Sequence, residues 1–368
     1  MNHLDELVAL TSKLIRFKST ASRAQELDSC AAFIHAWLKA NGIFSQLTHN
    51  QGVPCVAVLP ADGVVPVLLM THFDVVEAED ESLFEPRVEK GSLWGRGSLD
   101  DKYGVALSML QYRDALQDLK ARGGTQADMS FGLLMTGDEE SGGQLGAKAL
   151  LDHVQTRFCI ALDGGAPDEV VIKQKGILNL RLTTHGRTAH GARPWLGINA
   201  ADQLLDDCLK LRELFPDRGG EHWHRTLNLS SLRAGTGSIN QVPAKAEALF
   251  DLRYTEADDP DELVTVMRGQ IRGDLEVLAK EPQLTPQDSP YLAQLLQQHP
   301  DMQTGCAHGA SDARFLTRRG IPGVVWGAWG NSSAHGLGEH VTLESLDSLS
   351  LRLQSFLRAL PTSESIPQ

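Results

Sequence analysis

Apolar runs of strand length alternate with amphipathic segments of helix length along the first half of the chain, and this order restricts the fold more than any other feature. Four runs have the nearly continuous apolar character of strands buried on both faces, at residues 53–59, 67–70, 130–135 and 158–162. Four further segments have helical spacing, at residues 4–17, 25–40, 104–119 and 144–154. Strands that alternate with helices form an α/β sheet with helices packed on it.

The pattern changes near Lys173. The next segment favours two helices among more exposed strands, in the order strand 178–184, helix 199–214, strands 226–233 and 246–254, helix 260–271. The first pattern then returns, with a helix at 311–318, a strand at 323–326 and a helix at 343–360. The sequence therefore predicts an α/β fold in two domains. Residues 1–175 and 285–368 form a discontinuous domain whose mixed central sheet is flanked by helices, and residues 176–284 form an inserted two-layer α+β domain.

Length, charge and cysteine content exclude several classes of protein. A chain of 368 residues favours two domains. Its 34 basic and 47 acidic residues give a formal net charge of −13, and no basic run is present, so binding to nucleic acid is disfavoured. The first residues carry acids instead of the apolar core of a signal peptide, and no apolar run is long enough to span a membrane. Five scattered cysteines without a CxxC pair argue against a disulfide framework, and we expect a cytoplasmic protein.

Histidines and carboxylates follow the predicted strands closely. They are His72 and Asp74 after residues 67–70, Asp100 and Asp101 before a predicted helix, Asp138, Glu139 and Glu140 after residues 130–135, Asp163 after residues 158–162, and His335 after residues 323–326. Open α/β sheets bind ligands at the carboxyl ends of their strands. A single acid of this kind is as compatible with a solvated turn or a helix cap. Clustered carboxylates are best tolerated beside a cation.

The ligand types indicate which cation this would be. Nitrogen and oxygen ligands without thiolate suit zinc or another first-row divalent ion. They outnumber the ligands that one open catalytic zinc needs, whereas two ions that share a carboxylate would use them all. Gly95 and Gly97 resemble part of a phosphate cradle, but the third glycine of a dinucleotide-binding fingerprint is absent. A dinucleotide-dependent oxidoreductase would also leave the acidic clusters unexplained.

At this point the sequence resembles the M20 metallopeptidase family over nearly its whole length. Six motifs occur in the family's order: HFDVV at 72–76, GRGSLDDK at 95–102, DEE at 138–140, GRTAH at 186–190, SDARF at 311–315 and AH at 334–335. The resemblance implies five metal ligands, with Asp100 as the bridge between two zinc ions. His72 and Asp163 would bind the first ion, and Glu140 and His335 would bind the second.

The resemblance also implies the residues that act on the substrate. Asp74 would orient His72, and Glu139 would be the general base. The inserted domain corresponds to the family's lid and dimerisation domain, in which His190 would reach a neighbouring active site and stabilise the oxyanion.

Three residues are expected to bind the substrate. Asn240 would contact it directly, while Arg253 and Arg314 would offer guanidinium groups to its carboxylate. Asp163 follows the deacetylase and aminoacylase pattern, whereas residues 311–315 resemble the desuccinylase branch, so the substrate stays open.

These observations predict an amide hydrolase with two Zn²⁺ ions per subunit, or Co²⁺ or Mn²⁺ in their place. Its substrate would be small and carry a carboxylate, which includes N-acyl amino acids and the substrates of di- or carboxypeptidases. We expect a homodimer that binds neither nucleic acid nor membranes. The alternative is a catalytically inactive protein of the same fold that binds peptides or amino acids; it would show loss of Glu139 or of several ligands, and all are present.

Overall fold

Two compact units make up the computed structural model, which describes residues 2–60, 64–220, 222–331 and 333–360. The first unit comprises Met1–Lys173, Pro286–Ala307 and Ser311–Gln368, and the second comprises Gln174–Thr285 and His308–Ala310. Each unit has its own hydrophobic core. No helix among the described residues is long and apolar enough to cross a membrane.

The described strands are β1 (Gln46–Asn50), β2 (Val53–Val58), β3 (Val64–His72), β4 (Arg87–Glu89), β5 (Ser92–Trp94), β6 (Phe131–Thr136), β7 (Gln155–Ala161), β8 (Glu169–Gln174), β9 (Gly176–His185), β10 (Thr226–Ala234), β11 (Lys245–Tyr254), β12 (Asp274–Glu281), β13 (Gln303–Ala307), β14 (Gly323–Val325) and β15 (His340–Thr342). The described helices are α1 (His3–Ile15), α2 (Ala24–Ala40), α3 (Lys102–Ala121), α4 (Ala147–Leu151), α5 (Ala200–Glu213), α6 (Pro260–Gln270), α7 (Pro290–Gln298), α8 (Arg314–Thr317) and α9 (Leu343–Arg358).

A mixed sheet forms the centre of the first unit, with strand order β1-β2-β6-β3-β7-β14-β8-β13. Strands β6, β3, β7 and β14 are mutually parallel, whereas β2 and β8 pair antiparallel to their neighbours. Val67, Leu68 and Leu69 of β3 are completely buried, as expected for a parallel strand covered on both faces. The α/β fold with a mixed central sheet and flanking helices is therefore confirmed.

Four predicted strands end at one edge of this sheet because their register is aligned. His72 at the end of β3 pairs with Thr136 at the end of β6. On the other side of β3, Met70 pairs with Ala161 of β7, which in turn pairs with Val325 of β14. The residues that follow these strands therefore leave the sheet from the same edge.

Five of the described helices, α1, α5, α6, α7 and α9, begin where the sequence provides a side-chain cap. The Asn2 side chain accepts a hydrogen bond from the backbone N–H of Asp5. The Asp5 carboxylate in turn accepts one from the backbone N–H of Asn2. In the same way, the Thr342 hydroxyl accepts from the N–H of Ser345 and starts α9. Two of the predicted helices are shorter than expected, since α4 covers only Ala147–Leu151 and α8 only Arg314–Thr317.

The second unit is a four-stranded antiparallel sheet in the order β10-β11-β9-β12. Buried and less buried residues alternate along β9 and β11, so one face of the sheet is apolar. Leu204 and Leu211 of α5 and Met267 of α6 belong to the same buried cluster as Leu180 of β9 and Phe250 of β11. This is the predicted two-layer α+β arrangement, with a fourth strand, β12, that was not predicted.

Candidate metal centre

His72, the last residue of β3, anchors the candidate centre at the common edge of the sheet. Its ring is buried, and its Nε2 lies 2.8 Å from Oδ1 of Asp100. The other carboxylate oxygen of Asp100, Oδ2, lies 3.0 Å from Nε2 of His335, which in turn is 3.2 Å from Oε1 of Glu140. The ligand atoms of Asp100, Glu140 and His335 all lie within 4.8 Å of one another. One carboxylate thus stands between two imidazoles, the arrangement expected of a ligand that bridges two cations.

Asp74 connects His72 to the turn that follows β6. Its side chain is buried, and its two carboxylate oxygens accept hydrogen bonds from the backbone N–H of Glu139 (3.2 Å) and of Glu140 (3.0 Å). The Nδ1 atom of His72 lies 3.1 Å from the backbone oxygen of Asp74 and 3.4 Å from its Oδ1. Contacts to Nδ1 fix the ring and leave Nε2 directed at Asp100, which is how metal-binding histidines are oriented.

Asp100 is placed by a residue that sequence reasoning did not assign a role. The buried carboxylate of Glu339 accepts from the backbone N–H groups of Gly97 (2.8 Å), Leu99 (3.2 Å) and Asp100 (3.3 Å). It also pairs with the buried guanidinium of Arg96, which donates a second bond to the backbone oxygen of His335 (3.1 Å). Glu339 therefore ties both sides of the centre together. Its only signal in the sequence is an acid four residues after His335, which no local pattern distinguishes from a surface residue.

Asp163 provides a test of whether a cation fits. It follows β7 and, with Asp100, lines a cavity of about 190 Å³. Its Oδ1 is buried and has no hydrogen-bond partner among the described residues. Burial raises the pKa of Asp163 to about 6, against the charge of His72, which lowers it. A buried carboxylate oxygen without a donor is costly by itself and is satisfied by a bound cation. The donor set, two imidazoles and three carboxylates, fits a pair of first-row divalent ions.

The two histidines carry shifted pKa values in the protein without metal. Hydrogen bonds with Asp100 and Glu140 raise the pKa of His335 to about 10. Burial opposes the charged form of His72, but its hydrogen bonds with Asp100 and Asp74 outweigh that effect and raise its pKa well above the ordinary value. Burial also works against the ionised form of Asp100, yet His335 and His72 hold the pKa of this carboxyl below its ordinary value. Without metal, the negative charge of the carboxylates in the centre is therefore balanced by protons on the two imidazoles.

Glu139 lies beside the ligands, in a different environment. Burial raises the pKa of its carboxyl well above the ordinary value, and the charge of Asp312 adds to this effect. The Nη1 atom of Arg314 lies 3.6 Å from Oε1 of Glu139 and 3.4 Å from Oδ1 of Asp312. Arg314 is itself buried, and its Nη2 donates to the backbone oxygen of Gly142 (2.8 Å). The structure therefore places the guanidinium of Arg314 against Glu139, and Asp312 is a buried acid to which the sequence analysis gave no role.

His190, Asn240 and Arg253 belong to the second unit. A β-bridge joins His190 to Gln241, and the backbone oxygen of Asn240 accepts from the N–H of Gly191 (2.6 Å), so the first two residues are neighbours. Arg253 lies on β11, where its Nε and Nη2 donate to the carboxylate of Asp251 (2.8 and 3.0 Å).

Comparisons with known proteins show what the chain resembles in sequence and in fold. The sequence profile of peptidase family M20/M25/M40 matches residues 68–359. The succinyl-diaminopimelate desuccinylase of Alkalilimnicola ehrlichii is 31% identical over 316 residues, which cover 78% of this chain and 82% of that protein. Among solved structures, the M20 metallo-carboxypeptidase Sso-CP2 of Sulfolobus solfataricus has a TM-score of 0.78 at 16% identity, over 98% of this chain and 100% of that one. The aminopeptidase PepT of Bacillus cereus has a TM-score of 0.75 at 19% identity, over 96% and 98% of the two chains.

The two structural likenesses show the fold, and the family profile together with the desuccinylase shows the family. The chain belongs to peptidase family M20/M25/M40 and is a hydrolase of amide or peptide bonds.

Proposed function

We propose that the protein is a dinuclear zinc hydrolase that cleaves an amide bond in a small substrate with a free carboxylate. The observation that carries the proposal is the carboxylate of Asp100, whose two oxygens lie 2.8 and 3.0 Å from the imidazole nitrogens of His72 and His335. His72 and Asp163 would hold one ion, Glu140 and His335 the other, and Asp100 both. Cobalt or manganese could replace zinc with the same donors.

The reaction would use Glu139 to move protons. The bound ions would supply Lewis acidity toward the amide carbonyl and the attacking water. Glu139 takes one proton from this water as the oxygen forms its bond to the amide carbon, and returns it to the nitrogen as the carbon–nitrogen bond breaks. The products are a carboxylic acid and an amine, so all atoms of the water are accounted for.

The substrate class is inferred from the second unit and from the relatives. Arg253 lines a cavity of about 430 Å³ together with Lys175 and His308, all within that unit. The guanidinium of Arg253 is the group in this cavity that we expect to bind a substrate carboxylate. The similar proteins described above are a desuccinylase, a carboxypeptidase and an aminopeptidase. We therefore propose an N-acyl amino acid or a short peptide as substrate, with Asn240, Arg253 and Arg314 as its binding residues.

The proposal includes a homodimer formed through the second unit. Leu205 and Leu209, one helical turn apart on α5, are 50% and 60% exposed. Leu229 and Leu232 of the edge strand β10 are 39% and 44% exposed. Large apolar side chains on a helix and on a free strand edge are features of protein interfaces. In such a dimer His190 would serve the site of the other subunit and stabilise the oxyanion.

We also propose a cytoplasmic location, with which five free cysteines are consistent.

Amine release from a substrate panel tests the proposal. The panel contains N-acetyl, N-succinyl and N-formyl amino acids beside di- and tripeptides, each incubated with chelator-treated protein and with protein to which Zn²⁺ has been restored. We expect zinc-dependent release, and the preferred member separates a deacylase from a peptidase. If protein with two bound ions per chain releases no amine from any member, the inactive binding protein becomes the better description.

A further inference from the structure

A second group of metal-ligand side chains lies in the loop between α5 and β10, in the other unit from the proposed catalytic centre. It consists of Asp217, His222 and His224, whose ligand atoms lie within 4.8 Å of one another. Nδ1 of His222 is 3.1 Å from Oδ1 of Asp217, and Nε2 of His224 is 3.7 Å from the same oxygen. We infer that these three residues form an additional site for a first-row divalent ion such as Zn²⁺.

The distances between the three side chains are compatible with the coordination of zinc. Zinc bonds of about 2.0–2.1 Å in a tetrahedron separate neighbouring ligand atoms by about 3.3 Å. The two measured distances, 3.1 and 3.7 Å, lie on either side of this value. A hydrogen bond explains the approach of His222 to Asp217, but 3.7 Å is too long for one. The approach of His224 to the same oxygen is at ion-pair distance, and a cation between the three groups would also bring these atoms together.

Lys175 fixes the backbone at both histidines. This buried side chain donates from Nζ to the backbone oxygens of His222 (2.8 Å) and His224 (2.7 Å). Trp223 lies between the two histidines, with its ring 5.8 Å from the Lys175 ammonium. Metal sites gain affinity when the residues that carry the ligands are held in place beforehand.

Nearby acids reduce the repulsion that a cation would meet. Arg225, the next residue in the chain after His224, pairs with Asp258 (3.0 Å). The indole Nε1 of Trp223 donates to a carboxylate oxygen of Glu256 at 3.1 Å. Two carboxylates thus lie beside the loop in addition to Asp217, against the positive charges of Lys175 and Arg225. Because two of the three donors are imidazoles, the site favours zinc and similar ions over calcium or magnesium.

An ion can reach the three side chains and keep an open coordination position. Asp217 and His222 have side chains that are 72% and 54% exposed, and His224 is more buried at 13%. All three line the cavity that also contains Arg253. Three protein donors with solvent on one side correspond to a zinc site whose fourth ligand is water or a small anion.

Zinc titration of the metal-free, full-length protein tests the inference. Binding is measured by competition with a chromophoric chelator, and the ions retained after dialysis are counted by mass spectrometry. We expect the double variant His222→Asn/His224→Asn to bind one Zn²⁺ fewer than the wild type. The matched control is His49→Ala, because His49 also pairs with a carboxylate, Asp28 (3.1 Å), at a similarly exposed position but has no third ligand among the residues that the structure describes. It should bind as many ions as the wild type.

Equal zinc stoichiometry in the wild type and the double variant would overturn the inference. If the double variant is unfolded by circular dichroism, Asp217→Asn replaces it, since asparagine keeps an acceptor for the N–H of Gly219 (2.9 Å). Asp100→Asn separates this inference from the proposed function: it should weaken zinc binding at the catalytic centre and leave the loop ion in place. If the wild type holds the loop ion but releases no amine, only the proposed function is contradicted. If it releases amine in a zinc-dependent way but holds no loop ion, only the loop site is contradicted.

Discussion

At the scale of single residues, the candidate centre depends on a side chain that is not itself among the proposed ligands. The carboxylate of Glu339 accepts bonds from three backbone N–H groups of the loop that carries Asp100, and it pairs with Arg96. Supporting contacts of this kind hold metal ligands in their orientation. Sequence patterns could not reveal the role, because the contacts join residues more than 200 positions apart.

We predict that Glu339→Gln lowers the affinity of the catalytic centre for Zn²⁺ by about 10–100-fold, because the loop loses a charged acceptor. The measurement is zinc competition with a chelator, on protein whose circular dichroism matches the wild type. Glu344→Gln, at an exposed position in the first turn of α9, is the control and should leave the affinity unchanged. Unchanged affinity in Glu339→Gln would contradict the supporting role.

Replacement of the proposed base gives a second prediction at this scale. Glu139 is not among the proposed ligands, so Glu139→Ala should retain the metal content of the wild type. Turnover should fall by about 10²–10⁴-fold, the usual contribution of a positioned acid–base group. Metal content and amine release are measured on the same preparation. A variant with nearly normal turnover would remove Glu139 from the mechanism.

Zinc uptake should release protons, because a pKa of about 10 leaves the imidazole of His335 protonated at neutral pH in the metal-free protein. The pKa of His72 is raised in the same direction. A metal ion binds only the neutral ring, so binding displaces these protons and the affinity rises with pH, by about tenfold per pH unit for each proton released. The gain from His335 ends above pH 10. Calorimetric titration with Zn²⁺ in buffers of different ionisation enthalpy measures the protons released. A binding enthalpy that is the same in all buffers would contradict the prediction.

At the scale of secondary structure, the sequence predicted the strands that carry the ligands. β3, β6, β7 and β14 are buried, parallel and apolar, and such strands have a clear hydrophobic pattern. Strand β8, which lies between β14 and β13, and the edge strand β13 were not predicted, since both combine polar residues with only a short apolar stretch. Helix α4 is shorter than predicted because the carboxylate of Asp138 accepts from the N–H groups of Leu145 (2.9 Å) and Gly146 (3.0 Å). These bonds hold that segment in a turn until α4 begins.

The turn after β6 should be sensitive to a single methyl group. Gly143 has a φ of +63°, and a Cβ there would lie 2.0 Å from Oδ1 of Asp312. Gly123 also has a positive φ, +86°, but a Cβ at that position meets nothing within 4 Å. Both alanine variants carry backbone strain, and only Gly143→Ala adds a clash. We therefore expect Gly143→Ala to be less stable than Gly123→Ala by about 1–3 kcal/mol, measured by urea denaturation. Equal stability of the two variants would show that Asp312 can move aside.

At the scale of the whole molecule, the chain leaves one compact unit, forms a second and returns. The change from buried, apolar strands to alternating ones marks this transition in the sequence, because a sheet covered on one face needs apolar side chains at every second position only. In this sheet, which helices cover on one face only, β10 is an edge strand beside the exposed leucines of α5. What covers that surface cannot be deduced from the pattern of a single chain, since the partner of an edge strand leaves no periodic signal in it.

The proposed dimer makes a prediction that only a shared active site can satisfy. His190→Ala and Glu139→Ala should each be nearly inactive as homodimers. In a heterodimer of the two variants, one site would combine an intact Glu139 from the first chain with an intact His190 from the second, and amine release should partly return. The two chains carry different affinity tags and are co-expressed, so that heterodimers are purified by sequential capture and verified by native mass spectrometry. A mixture of separately purified, non-exchanging homodimers is the control and should stay inactive. Verified heterodimers without recovered activity would mean that His190 does not act across the interface, because each chain then lacks a group that its partner cannot supply.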